Sequence, residues 1–205
     1  MGGLPLQGGQ VARQPTSGTG GGASSPIISR VRVSGSSTLN TAITATQAAT
    51  SANARTRPLA FLRSLGCVDS KLRRDTVSKA CKGFRPATLD GIAYHPHSTT
   101  FAPDRGYTNV DDANLADYPR LVKTIDGVQR AGGLVNGLSA SKKFDIHYDE
   151  YGYQTNPPDA LLGVTTAQQA SWLQWSAYTA YRQPRVRTLI QYLWRDDPIN
   201  TRGWR

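Results

Sequence analysis

"FDIHYDEYGYQTNPPD", residues 144–159, decides how the chain is read, because it holds Glu150, the only glutamate among 205 residues. The run into Glu150 is apolar and rich in β-favouring side chains, and Tyr151, Gly152 and Tyr153 make a turn directly after it. A strand that ends there delivers the glutamate to the rim of a sheet.

On the C-terminal side, Val164 and Thr165, with Gln168 three residues on, have the pattern of a hydrophobic staple and capping box. The helix they open is expected to run past Trp172, Trp175 and Tyr178 to a stop near Pro184, with both tryptophans in the core. "VRTLIQYLW" (186–194) then reads as a strand that ends at "RDDP". On the N-terminal side, Asp117 and Pro119 start a helix with Leu121, Ile125 and Val128 on one face, and Gly132 and Gly133 end it. "LDGIAYHPHS" (89–98) reads as a strand with a polar rim. Thr56 and Pro58 open a short helix, "RPLAFLRSL", that Gly66 stops.

The order is therefore helix, strand, helix, strand, helix, strand. Strands joined by crossover helices run parallel and are covered on both faces, which makes the fold class α/β. Folds of this class place their sites at the carboxyl ends of the strands. Those ends carry His95 and His97, then Glu150, then Trp194 with Arg195 and Asp196.

The first quarter of the chain is different. Gly, Ser, Thr and Ala supply 33 of residues 1–56, so this stretch reads as a low-complexity flexible extension that cannot bury enough surface to offset its ordering entropy. The globular unit is residues 57–205. Residues 1–68 hold six arginines, no lysine and no acid, so they carry +6 of the net +10. That excess includes no Lys/Arg run and no aromatic before Phe61 to stack on a base, so it does not point to a nucleic-acid partner. No segment approaches the ~20 apolar residues of a membrane span. The opening "MGGLPLQGGQVARQPTSG" has no apolar core of the kind secretion signals need.

Two cysteines, Cys67 and Cys81, flank a polar, basic segment. Zinc would want closer pairs and more ligands. A disulfide closing a short loop fits, would contribute about 3 kcal/mol in the loop-entropy account, and implies an oxidising compartment. The alternative is two unrelated buried thiols.

A carboxylate among Tyr148, Tyr151 and Tyr153 is suited to nucleophilic work held by hydroxyl donors; the plainer role for Glu150 is a salt bridge to an arginine. Strand alternation is expected to turn His147 and Asp149 away from the face that Glu150 uses. His95 and His97 form a His-x-His pair that, with His147 and Asp149 or Asp196, offers donors for a divalent metal. The opposed direction of His147 weighs against that set, and hydrogen bonding to a polar ligand is the role read for the pair. No metal and no cofactor is expected.

"PLAFLRSLGCVD", "LDGIAYHPHS", "DEYGYQTNPPD", "TTAQQASWLQWSAYTAYRQPRV" and "LIQYLWRDDP" resemble, in that order, the C-terminal half of actinobacterial cellulase-like glycoside hydrolases, retaining enzymes on (β/α)8 barrels. The resemblance covers residues 57 to 205. It implies a partial TIM-type barrel, with Glu150 as the nucleophile ending the seventh strand, "YHPHS" ending the sixth and Trp194 ending the eighth. It further implies that His95 and His97 contact sugar hydroxyls, that Trp194 forms a stacking surface, and that Tyr153 and Arg195 complete the set that binds an oligo- or polysaccharide. The parent family is extracellular.

A retaining mechanism needs a second carboxyl group about 5–5.5 Å from the nucleophile. In this clan that group is a glutamate in an Asn-Glu motif, which this sequence lacks. The expectation is a fragment with the nucleophile half of the site, inactive alone, whose open sheet edges favour self-association. The alternatives from other classes are a non-catalytic carbohydrate-binding or structural relic, and a metal-dependent hydrolase using His95 and His97.

Overall fold

A computed structural model describes residues 56–192. The 1–56 extension, apart from Thr56, and residues 193–205, with Trp194 and Arg195, lie outside the described residues. Within them the chain is an α/β unit. Helices α1 (Pro58–Leu65), α2 (Tyr118–Arg130) and α3 (Thr166–Tyr181) alternate with five parallel strands. These are β1 (Ala87–Leu89), β2 (Ile92–Tyr94), β3 (Leu134–Asn136), β4 (Ile146–Tyr151) and β5 (Val186–Gln191). The ladders run β1–β3 and β2–β4–β5.

Local sequence explains most of these elements. Pro58 stands in the first turn of α1, where its missing N–H costs nothing, and Leu59 and Leu62 are buried beneath it. Helix α2 buries Leu121, Ile125 and Val128 as its periodicity requires. It ends in a Schellman motif: Gly132 adopts φ +71°, and the Gly133 and Gly132 amides donate to the carbonyls of Val128 and Gln129. Helix α3 has the expected capping box, with the Thr165 hydroxyl accepting from the Gln168 amide while the Gln168 side chain accepts from the Thr165 amide. Gly66 permits the close approach of α1 to α2, since a Cβ there would lie 2.2 Å from Val128 Cγ1.

Three readings are corrected. The stretch 89–98 is not one strand: β1 and β2 are separated at Asp90–Gly91, with β1 pairing to β3 and β2 to β4. β3 was not anticipated, because three residues between a helix stop and a Ser/Lys-rich loop show no usable periodicity. Trp175 is not in the core; it is 41% exposed, whereas Trp172 is partly buried against the Tyr153 ring.

Cys67 and Cys81 are joined in a disulfide, with Cα atoms 5.6 Å apart. It ties the 67–81 loop back to the end of α1. The core lies between the sheet and the helices, centred on Tyr94, Tyr148, Phe144, Ile92, Ile146 and Leu121. Gln183 connects three parts of it, accepting from the Tyr148 hydroxyl (2.7 Å) and donating to the Leu115 carbonyl (2.8 Å). No helix among the described residues is long and apolar enough to cross a membrane.

Candidate functional site

The carboxyl ends of β2 and β4 meet. His95 is the first residue after β2 and His97 follows one proline later, while Glu150 is the penultimate residue of β4. His97 Nε2 lies 3.4 Å from Glu150 Oε1, and His95 Nδ1 lies 3.5 Å from Glu150 Oε2. The other nitrogen of His95, Nε2, lies 3.2 Å from Asp149 Oδ1. One donor atom from each of His95, His97 and Glu150 falls within 4.8 Å of the others.

Asp149 is the correction that matters most here. Strict alternation would send it to the face opposite Glu150, yet both carboxylates contact His95. The cause is visible in the β4–β5 register, where Tyr148 pairs with Leu189 and Tyr151 with Gln191. Three steps along β4 match two along β5, so β4 bulges at Asp149–Glu150 and loses its two-residue period. An earlier irregularity, between Ile146–Val186 and His147–Thr188, shifts the register the other way, and the two offset each other. Local sequence offered no Gly or Pro to announce the bulge.

His147 obeys alternation. It points away from Glu150 and lies with Nδ1 3.3 Å from the Thr188 hydroxyl on β5. Tyr153 is turned inward. It is buried, its hydroxyl donates to the Phe101 carbonyl (2.9 Å) and lies 3.0 Å from the Tyr151 hydroxyl, and its ring packs on Trp172. This commits the Tyr153 side chain to the fold. Trp194 and Arg195 lie outside the described residues.

The loop after His97 is held in place by polar contacts. Tyr107 donates its hydroxyl to the His97 carbonyl (3.0 Å). The Tyr107 amide donates in turn to the buried Asp117 carboxylate (2.9 Å) at the start of α2. The Tyr151 ring lies parallel to that of His97, with centroids 6.2 Å apart. Sequence reading passed over Tyr107, which nothing local distinguishes from a core tyrosine. It took Tyr151 as a hydroxyl donor beside Glu150, whereas the Tyr151 hydroxyl lies 2.8 Å from the Ser176 hydroxyl and its ring lies along His97.

The electrostatics follow from burial and charge. His95 is 6% exposed, and that burial pushes its imidazole below the ordinary histidine range, although Glu150 and Asp149 pull the other way. Burial would raise the Glu150 carboxyl. The approach of His97, and the positive charge that His95 and His97 can carry, more than offset it, so Glu150 titrates below its usual range. Glu150 is therefore ionised at neutral pH, half-buried and held by imidazoles. Such a group can attack an electrophilic carbon, accept a hydrogen bond or ligate a cation.

The chain matches no protein-family model, and no curated protein or solved structure matches it.

Proposed function

We propose that residues 57–205 carry the nucleophile half of a retaining glycoside hydrolase site, on part of a (β/α)8-type barrel. The observation that carries this reading is the position of Glu150. It is an ionised carboxylate at the carboxyl end of a central parallel strand, flanked by two imidazoles from the neighbouring strand's end. In the reaction, a Glu150 oxygen bonds to the anomeric carbon while the bond to the leaving oxygen breaks, and its electron pair departs with the aglycone. Water then cleaves the resulting ester. His95 and His97 keep the carboxylate charged, and His97, the more exposed of the two, is the one that meets a sugar hydroxyl. The partner is an oligo- or polysaccharide in an extracellular setting, consistent with a disulfide.

Protonation of an ordinary leaving group falls to another carboxyl group, and no other glutamate is present in the chain. The test removes that requirement. A 2-deoxy-2-fluoro-β-glycoside with a 2,4-dinitrophenolate leaving group departs without a proton donor, and its glycosyl ester turns over slowly. Incubated in EDTA with a panel of such glucosides, mannosides and xylosides, the chain is expected to gain one sugar mass at Glu150, and the Glu150→Gln chain none. Absence of label across the panel, or label elsewhere, overturns the nucleophile assignment. Fast hydrolysis of unactivated aryl glycosides by the chain alone overturns the half-site assignment.

A further inference from the structure

The spacing of the donor atoms at this site carries a second reading, independent of any glycosidase role. A charge-assisted hydrogen bond between an imidazole and a carboxylate closes to about 2.7–2.9 Å. Both contacts of Glu150 are longer, at 3.4 Å to His97 Nε2 and 3.5 Å to His95 Nδ1. The two contacts are therefore long for hydrogen bonds, and they fall on the two different oxygens of Glu150, so the carboxylate faces one nitrogen of each imidazole and can meet a metal ion through either oxygen. One ligand atom from each of His95, His97 and Glu150 lies within 4.8 Å of the others, close enough for one ion to meet all three.

The surroundings are those of a liganding histidine. Ligating imidazoles donate their second N–H to a carboxylate or carbonyl, which fixes the tautomer and the ring orientation. For His95 the carboxylate in that place is Asp149, with Oδ1 3.2 Å from Nε2, and Nδ1 on the other side of the ring faces Glu150 Oε2 at 3.5 Å. With Nδ1 unprotonated, its lone pair and the Glu150 carboxylate repel unless a cation sits between them; a proton on Nδ1 is the competing occupant, which the metal displaces. The β4 bulge is what makes this possible, since only a broken alternation places Glu150 and Asp149 on the two nitrogens of one ring. His97 is positioned separately, by the Tyr107 hydroxyl on its carbonyl and by the parallel Tyr151 ring.

We propose that His95 Nδ1, His97 Nε2 and Glu150 bind one divalent first-row transition metal, with Asp149 as the carboxylate behind His95. Two imidazoles and one carboxylate suit zinc, cobalt, nickel or iron rather than magnesium or calcium, which prefer all-oxygen sites. Three protein ligands leave a coordination position for water or a polar ligand. His147, turned to Thr188, takes no part.

The experiment uses the full chain without an affinity tag, stripped with EDTA and titrated with Zn²⁺ by calorimetry and with Co²⁺ by visible absorption. One equivalent is expected to bind, with Co²⁺ giving d–d bands that Zn²⁺ abolishes. Glu150→Gln and His97→Ala are each expected to weaken Zn²⁺ binding at least tenfold, and Asp149→Asn about 10–100-fold. His147→Ala is expected to leave binding unchanged. Far-UV circular dichroism identifies the folded variants, and His97→Ala, at a partly exposed position, guards against misfolding of the others. No saturable binding by the folded parent chain overturns the proposal. So does unchanged affinity in both Glu150→Gln and His97→Ala, or a loss in His147→Ala equal to theirs. Because the fluoroglycoside test is run in EDTA and reads a covalent adduct, either assignment can fail while the other stands.

Discussion

Strands β4 and β5 lie side by side, are parallel and have six residues each, yet their sequences and their burial rank in opposite order. β5, "VRTLIQ", is rich in β-favouring residues, while β4, "IHYDEY", carries a histidine and two acids. Propensity alone would put β5 at the centre. Instead Ile146, Tyr148 and Tyr151 of β4 are fully buried, whereas β5 has no fully buried residue and Ile190 is 53% exposed. The difference lies in partners. β4 pairs with β2 on one side and β5 on the other, and β5 pairs only with β4 among the described residues. β-propensity measures how a side chain fits its neighbours, so the same residue type means different things in the two strands. A strand with ladders on both sides can also accommodate a bulge, and here the bulge turns two carboxylates toward one imidazole.

The largest expected effect tests that asymmetry directly. Tyr148 and Leu189 are register partners across the two strands. Tyr148→Ala empties a fully buried site and removes the hydroxyl that donates to Gln183, so it should cost about 3–5 kcal/mol. Leu189→Ala, at a half-buried site, should cost less than about 2 kcal/mol. Urea unfolding of both variants measures this, and equal losses would mean that β5 is as central as β4.

These strands also mark how far the sequence can be read. The helices were legible because their signals are local: Pro58 in α1, the Leu121–Ile125–Val128 face of α2, and the Thr165–Gln168 box of α3 all do what their spacing implies. The parallel arrangement was legible because alternating strands and helices leave few alternatives. The meeting of His95, His97 and Glu150 followed from the rule that strand ends share a site. What escaped reading depends on non-local pairing. β3 exists because β1 offers it a partner, the bulge at Asp149–Glu150 exists because β5 sets the register, and Trp175 is exposed because of where α3 lies on the sheet.

A smaller effect concerns how the two strands are fastened at their N-terminal ends. Asp145, just before β4, accepts from Arg187 Nε on β5 (2.8 Å) and from Lys142 Nζ (3.2 Å). Burial would raise its carboxyl, but the two cations outweigh that and hold it below the usual carboxylate range. A carboxyl whose folded-state pKa is depressed adds stability above its unfolded pKa, and loses it as pH falls through the folded one. Asp145→Asn should therefore cost about 0.2–1 kcal/mol at neutral pH, the range of exposed ion pairs. Its deficit relative to the parent chain should shrink toward zero as pH is lowered through the carboxylate range. Acid also weakens the parent through Glu150 and His95, both depressed in the folded state, so the difference between the two chains is the quantity to follow. A deficit that persists in acid would mean that packing, not charge, joins the strands there.

The smallest change in stability is expected at Ile190, and there the edge character of β5 has its own readout. An exposed apolar residue on a strand that is paired on one side only among the described residues invites pairing with another copy, and lysine is a residue natural sheets use to prevent it. Ile190→Lys removes little buried surface, so its unfolding free energy should stay within about 0.5 kcal/mol of the parent chain. Sedimentation velocity across a concentration series should nevertheless show weaker self-association, because a lysine on an edge strand opposes its pairing with a second copy. The two measurements separate the alternatives. A stability loss of several kcal/mol would show that the Ile190 side chain is buried in the folded chain. An unchanged sedimentation profile in a variant of unchanged stability would show that self-association, if any, uses another surface. Only the combination of near-neutral stability and reduced association leaves β5 as the open edge that its exposed side chains describe.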